Sequence, residues 1–121
     1  MRHQKKNLHI GKRGKDHKDH KESLLKNLAA SIIIHEKIKT TRTKAKALAP
    51  FVERLINLAK NKDKMNAIRE ISKLLNHEDS SRKILDELTT RYSETTSGYT
   101  RIISIGARKG DNAPMVQIEL T

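Results

Sequence analysis

The first 21 residues set the strongest limit on the fold, because they carry almost no material for a hydrophobic core. They contain eight Lys or Arg and two Asp, a net charge of +6, and their apolar residues are Met1, Leu8 and Ile10. Such a segment cannot bury enough apolar surface to offset the conformational entropy lost on folding. We therefore expect a basic N-terminal arm over residues 1–18 that orders on a partner, followed by a single domain over residues 19–121.

The remaining positive charge is concentrated in one further segment. Of the formal net charge of +12, residues 36–50 contribute +4, whereas residues 51–97 and 98–121 contribute +1 each. Positive charge separated in this way is typical of a polyanion binder, because neutralised phosphates release condensed counterions. With one Phe, two Tyr and no Trp, stacking on aromatic side chains cannot supply most of the affinity. The pattern predicts nucleic-acid binding through phosphate contacts and shape.

The composition argues against several other classes of protein. The chain has no Cys, which excludes disulfides, thiolate zinc sites and a cysteine nucleophile. It has neither the apolar segment of a secretory signal nor the roughly 18 apolar residues that span a bilayer. His17 and His20 lie beside Asp16 and Asp19, but the surrounding lysines oppose a cation, so we expect no metal. We expect a cytoplasmic protein with no membrane association, no cofactor and no small-molecule substrate.

Apolar residues at three- and four-residue spacing predict four helices. Their approximate ranges are 19–33, 43–60, 64–75 and 81–91. Asp19, Asp63 and Ser80 stand where N-cap residues are expected, and Glu22 completes a loose capping box with Asp19. Pro50 predicts a kink or a restart in the second helix, because it removes a backbone donor.

Three further segments have the character of strands. Residues 35–40 alternate apolar and cationic side chains, residues 99–105 are rich in β-branched side chains, and residues 115–120 alternate apolar and polar ones. A turn rich in Gly, Asn and Pro separates the last two segments. The expected fold is α+β, with about four helices, a basic N-terminal extension and a small three-stranded mixed sheet made of one early strand and a C-terminal hairpin.

The acidic residues give no indication of an active site. Several lie three or four residues from a basic one, as surface ion pairs do on a helix: Glu70 with Lys73, Glu78 with Arg82, and Glu87 with Arg91. Neither a nucleophile–base arrangement nor a pair of catalytic carboxylates is evident. We expect no enzymatic activity.

Several strings together resemble the bacterial-type large-subunit ribosomal protein L-seventeen family. They are the start Met1-Arg2-His3, His17 with Lys26-Asn27-Leu28, the run HEKIKTTRTKAKAL from His35, GYTRI from Gly98, and RKGDNAPM from Arg108. The resemblance implies an α+β fold with a three-stranded sheet. It also implies a structural component of the large ribosomal subunit, bound to large-subunit rRNA near the nascent-chain exit region beside neighbouring large-subunit proteins.

The resemblance also implies a set of RNA contacts. These are Arg2, His3, Lys37, Lys39, Thr40, Thr41, Lys44, Lys46, Arg101 and Arg108. The charge pattern adds Lys5, Lys6, Lys12, Arg13, Lys15, Arg42 and the hairpin-tip residue Lys109, with His17 as a hydrogen-bonding or stacking group. Tyr99 is expected either to stack on a base or, equally, to pack in the core.

An alternative function is that of a DNA-binding regulator or nucleoid-associated protein, since consecutive helices with basic faces can form helix-turn-helix units. The basic residues, however, cluster in an arm and in a strand followed by a turn, and not on one recognition helix. This distribution favours RNA. We expect no homo-oligomer.

Overall fold

Four helices and a three-stranded sheet make up the part of the chain that the computed structural model describes, residues 17–75 and 77–121. In chain order the elements are α1 (His17–His35), β1 (Lys37–Thr41), α2 (Arg42–Asn61), α3 (Lys64–Leu74), α4 (Glu78–Lys83), a π-helical turn (Ile84–Leu88), α5 (Thr89–Arg91), β2 (Thr100–Ala107) and β3 (Pro114–Leu120). Right-handed helical dihedrals continue through Lys83 and Thr89, so α4, the π-helical turn and α5 form one continuous fourth helix. The expected α+β fold is confirmed, while residues 1–16 of the proposed arm lie outside the described residues and its last two residues, His17 and Lys18, belong to α1.

The sheet has the strand order β1-β3-β2, and both pairings are antiparallel. Ile38, Ile118 and Ile102 stand opposite one another across the three strands. The expectation of a mixed sheet was therefore wrong. Two strands joined by a short hairpin, such as β2 and β3, are necessarily antiparallel. Helices separate β1 from this hairpin in the chain, so the sequence does not reveal whether β1 pairs in the parallel or the antiparallel direction.

Helix α2 is the centre of the core. Its buried residues follow a helical stripe: Ala45, Leu48, Val52, Leu55, Ile56 and Ala59. Ala29, Ile32 and Ile33 of α1 and the inner face of β3 belong to the same buried cluster. Each fully buried Leu or Ile stabilises the fold by about 1.5–3 kcal/mol relative to an exposed one. This packing fixes which sides of β1 and α2 face solvent.

The predicted restart at Pro50 does not occur, because α2 runs unbroken from Arg42 to Asn61. Proline lacks the N–H that would bond to the carbonyl group four residues earlier, on Lys46. Both Pro50 and Lys46 are exposed, so water can solvate that carbonyl group. An exposed position makes the proline tolerable within the helix.

The helix ends differ from the predicted caps. Helix α1 already includes His17, so Asp19 lies within it and is not its N-cap. The fourth helix begins at Glu78, where His77 Nδ1 accepts a hydrogen bond from the Ser80 N–H at 3.2 Å. Ser80 is a buried residue inside this helix, and its Oγ donates to the His77 carbonyl group. Asp63 does precede α3, but its carboxylate accepts from the Asn66 side chain at 2.6 Å instead of capping the backbone.

Candidate nucleic-acid interface

Strand β1 presents its lysines to solvent. Its side chains alternate, with Ile38 half-buried and Thr40 buried on the inner face, and Lys37 and Lys39 exposed on the outer face. Two residues along a strand are separated by about 7 Å. This is close to the spacing of successive phosphates along a nucleic-acid strand, so both ammonium groups can engage one backbone.

The first turns of α2 continue this basic surface. Arg42 and Lys46 are exposed and lie one helical turn apart, with about 5–6 Å between Cβ atoms, whereas Lys44, two residues from each, is half-buried on a different side of the helix. The first turn contains no acidic residue, and Thr41 makes no side-chain cap. The first N–H groups of α2 therefore have no intrahelical acceptor and none from the Thr41 side chain, a condition that favours anions.

Together these residues form the cationic cluster: Lys37, Lys39, Arg42, Lys44 and Lys46. Within residues 17–75 and 77–121, six other cations form salt bridges with acids: Lys62, Arg82, Lys83, Arg91, Arg101 and Arg108. No member of the cluster pairs with an acid in those same ranges. Even Glu119, which stands opposite Lys37 in the sheet, pairs with Arg101 at 3.5 Å. The positive charge of the cluster is thus not neutralised by the described protein.

Glu36 holds the beginning of the cluster in place. Its N–H donates to the Ile32 carbonyl group at 2.7 Å, and its own carbonyl group accepts from Leu120 N–H at 2.9 Å. Its φ is +68°, a left-handed conformation that turns the chain from α1 into β1. Its carboxylate accepts two hydrogen bonds from Arg91, at 2.8 and 3.0 Å, and one from Lys83 at 3.0 Å.

These contacts lower the pKa of Glu36 from 4.5 to about 2, chiefly through the hydrogen bonds from Arg91 and then through the one from Lys83. The shift means that the folded protein stabilises the ionised carboxylate. The cluster therefore starts from a turn that is tied to the fourth helix by these hydrogen bonds.

The tip of the hairpin lies at the same end of the sheet as the start of α2. Thr41 stands opposite Met115, which in turn stands opposite Gly106. A register shift between Ser104 and Gly106 forms a β-bulge there, and Gly106 has φ +115°, which favours glycine. The loop that follows the bulge carries Lys109 and extends the exposed basic surface.

The arginines of the hairpin are paired, unlike the cationic cluster. Arg108 donates to both carboxylate oxygens of Asp111, at 3.0 and 2.6 Å, and this contact lowers the pKa of Asp111 to about 2. Arg101, at the opposite end of β2, forms an ion pair with Glu119. Both arginines are exposed, but each would have to share its charge with an acid on binding a phosphate.

Two predicted contact residues are not accessible. Tyr99 is fully buried, its hydroxyl group donates to Asn57 Oδ1 at 2.6 Å, and its ring centroid lies 5.0 Å from that of Tyr92. Thr40 is buried because the alternation of β1 turns it toward the core. Of the two interpretations of Tyr99, the structure therefore favours core packing.

The structure describes the remaining predicted residues only in part. Arg2, His3, Lys5, Lys6, Lys12, Arg13 and Lys15 lie outside the described residues, and His17 is described only as the first residue of α1. Thr41 is half-buried at the junction between β1 and α2.

The ion pairs correct the sequence-based pairing. Glu78 and Arg82 do pair, at 2.8 Å. Glu70, however, pairs with Lys62, and Arg91 pairs with Glu36. The role of Glu36 was missed because 55 residues separate it from Arg91, and no local spacing signals such a contact.

Two other kinds of site are absent from the described part of the chain. It contains no group of three or more His, Asp or Glu side chains arranged to hold a metal ion. None of its helices combines the length and apolar character needed to cross a bilayer.

Comparison with known proteins identifies the family. Residues 24–121 match the sequence pattern of the family described as ribosomal protein L17. The large ribosomal subunit protein bL17 of Maricaulis maris is 52% identical over 101 residues, which cover 84% of this chain and 71% of that protein. The protein of the same name from Allorhizobium ampelinum is 42% identical over 119 residues, covering 98% of this chain and 81% of its own length. The chain therefore belongs to the ribosomal protein L17 family.

Proposed function

We propose that the chain is a non-enzymatic structural component of the large ribosomal subunit that binds large-subunit rRNA through the cationic cluster. The observation that carries this proposal is the set of five cations at the junction of β1 and α2 that no described acid neutralises. The family and the names of the relatives support a place in the large subunit.

The cluster supplies three kinds of phosphate contact. Lys37 and Lys39 act as point charges on one face of a strand, and Arg42 can bind two oxygens of one phosphate. The free N–H groups at the start of α2 can donate to another phosphate. Because none of these groups reads a base edge, recognition depends on the shape of folded RNA and on its backbone, as is usual for A-form helices.

The basic arm is proposed to add a second group of contacts. Its seven Lys or Arg over residues 1–18 and its lack of core-forming residues favour ordering on RNA. Such ordering trades chain entropy for phosphate contacts. A variant that lacks residues 2–15 should show a weaker salt dependence of rRNA binding while its helical circular dichroism signal is retained.

The location near the nascent-chain exit region is also a proposal, and it rests on the family resemblance. Under this proposal the protein lies in the cytoplasm, beside rRNA and neighbouring large-subunit proteins. Electron microscopy of native large subunits would test it, since density for the helices and the sheet at a distant site would contradict it.

The cluster is tested by a matched pair of triple variants. The first carries Lys39→Gln, Arg42→Gln and Lys46→Gln. The control carries Lys64→Gln, Arg69→Gln and Lys73→Gln on α3, which removes the same charge from exposed positions that have no acidic partner in the described part of the chain. Affinity for a large-subunit rRNA fragment is measured between 50 and 200 mM salt.

The cluster variant should lower the slope of log K against log salt by about 2, because each lost phosphate contact removes about 0.7–0.9. The control should change the slope by less than about 1. Equal losses in the two variants would reject the cluster as the binding surface. Duplex DNA is added as competitor, and competition as effective as that of the rRNA fragment would favour the DNA-binding alternative.

A further inference from the structure

The two edge strands of the sheet differ in their protection. Strand β1 is five residues long, carries Lys37 and Lys39, and leads directly into α2. Short length and exposed lysines are the means by which natural proteins prevent an edge from pairing with another strand. Strand β2 is eight residues long, and its stretch 102–107 contains no charged residue. Only the bulge near Gly106 interrupts it.

Strand β2 also exposes apolar side chains. Ile102, Ile103 and Ile105 are 39–46% exposed, and they are three of the five large hydrophobic residues exposed in the described part of the chain. The arginines that flank them, Arg101 and Arg108, already contact Glu119 and Asp111. Because this edge is apolar and uncharged and the two arginines beside it are paired with acids, it is poorly suited to binding phosphate and well suited to binding an apolar peptide.

The surface beside β2 can accommodate an additional strand. The inner row of the sheet, Ile38–Ile118–Ile102, ends at Ile102, which is left partly uncovered. Next to it, Thr100 Oγ1 donates to Glu53 Oε2 at 3.2 Å, and Glu53 lines a shallow groove of about 580 Å³ along α2 with Pro50 and Arg54. The Thr100–Glu53 hydrogen bond places one side of this groove next to the start of β2.

We propose that the edge of β2 binds an extended, largely uncharged segment of another large-subunit protein, which adds to the sheet as a fourth strand. Main-chain hydrogen bonds would provide the pairing, and the isoleucines would provide apolar contact. A second copy of this chain is disfavoured, because each copy carries a net charge of +12. That the partner belongs to the large subunit rests on the proposed function, whereas the open edge itself does not.

Site-specific photo-crosslinking in purified large subunits tests the proposal. The full chain carries a photoreactive residue at position 103 or, as a control, at position 68, since Ile103 and Ile68 are each 40% exposed. Position 103 should cross-link to one defined peptide of one other ribosomal protein, and position 68 should not give that adduct. Cross-linking of position 103 to rRNA, to a second copy or to nothing would overturn the proposal.

Backbone pairing is tested by hydrogen exchange and by a substitution that places a charge on the edge strand. About half of the N–H groups of β2 point away from β3, and those of residues 101–104 that do so should exchange at least about ten-fold more slowly in the subunit than in the free chain. Unchanged exchange would contradict strand addition. Ile103→Lys should abolish the peptide adduct formed from position 105, whereas Ile68→Lys should preserve it, and an adduct that survives Ile103→Lys would also count against pairing.

The same variants distinguish this proposal from the rRNA proposal. Ile103→Lys should leave the affinity for the rRNA fragment within about two-fold of the wild type, because it removes none of the cationic cluster. Circular dichroism checks that the variant is folded. Loss of rRNA affinity in the cluster triple variant, with the peptide adduct unchanged in assembled particles, would show that the two surfaces act independently.

Discussion

Replacing Glu36 with Gln tests whether the turn before the cationic cluster is held by charge. The substitution keeps the size of the side chain and its φ preference but removes the negative charge. Arg91 and Lys83 then lose their charge-assisted hydrogen bonds. Lys83, whose side chain is only 17% exposed, is left without its counter-ion.

The magnitude follows from the pKa of Glu36. A fall from 4.5 to about 2 corresponds to at most about 3.4 kcal/mol. Because the Glu36 side chain is 41% exposed, solvent screening reduces the contribution to about 1–2 kcal/mol. For a chain of this size, that loss lowers Tm by about 4–8 °C.

The pH dependence gives the reasoning a second test. A carboxylate whose pKa is lower in the folded state stabilises the fold fully above the unfolded pKa of about 4.5, and this contribution disappears as the pH falls toward about 2. The difference in free energy of unfolding between wild type and Glu36→Gln should therefore be constant from pH 6 to 7 and shrink below pH 4.5. Urea unfolding followed by circular dichroism measures it.

Glu78→Gln is the matched control, because among the described residues Glu78 pairs with Arg82 alone, one turn away, and their side chains are 82% and 65% exposed. Its loss should be about 0.3–0.5 kcal/mol. The reasoning is refuted if Glu36→Gln costs no more than Glu78→Gln at pH 7. It is equally refuted if the cost of Glu36→Gln is unchanged at pH 2.

Three further substitutions test other parts of the structure. Tyr99→Phe removes the hydroxyl group bound to Asn57 and should lower the free energy of unfolding by about 1–2 kcal/mol in urea titrations, with rRNA affinity unchanged; a large loss of affinity would instead indicate that the Tyr99 hydroxyl group contacts RNA. Gly106→Ala introduces a Cβ at φ +115° and should cost about 1–3 kcal/mol by the same measurement, so an equally stable variant would contradict the bulge geometry. Asp111→Asn releases Arg108 and should steepen the salt dependence of rRNA binding by up to about 1; an unchanged slope would place the hairpin tip away from RNA.

Periodicity in the sequence predicted the helices and the core because burial repeats every three or four residues. The stripe of buried residues from Ala45 to Ala59 in α2 could be predicted in this way. The start of the fourth helix was not, because its cap is a histidine, which is not among the residues preferred at N-caps. The direction of β1 was also hidden, since it depends on how the intervening helices pack.

The candidate interface was predictable in position but not in charge balance. The density of Lys and Arg between Lys37 and Lys46 marked the surface. Whether acids neutralise a cation depends on contacts between distant residues, as Glu36 with Arg91 and Arg101 with Glu119 illustrate. Alternation along a strand then decided that Thr40 faces inward while Lys37 and Lys39 face solvent.

The π-helical turn from Ile84 to Leu88 has a consequence for the grip on Glu36. In a regular α-helix, two residues eight positions apart, such as Lys83 and Arg91, differ by about 80° around the axis. A π-bulge acts as a one-residue insertion, so the same pair behaves as if seven positions apart and differs by about 20°. The π-helical turn thus brings Lys83 and Arg91 to the same side of the fourth helix, where both contact the Glu36 carboxylate. One extra residue in a helix far away in the sequence therefore allows the two ion pairs that hold the turn before β1.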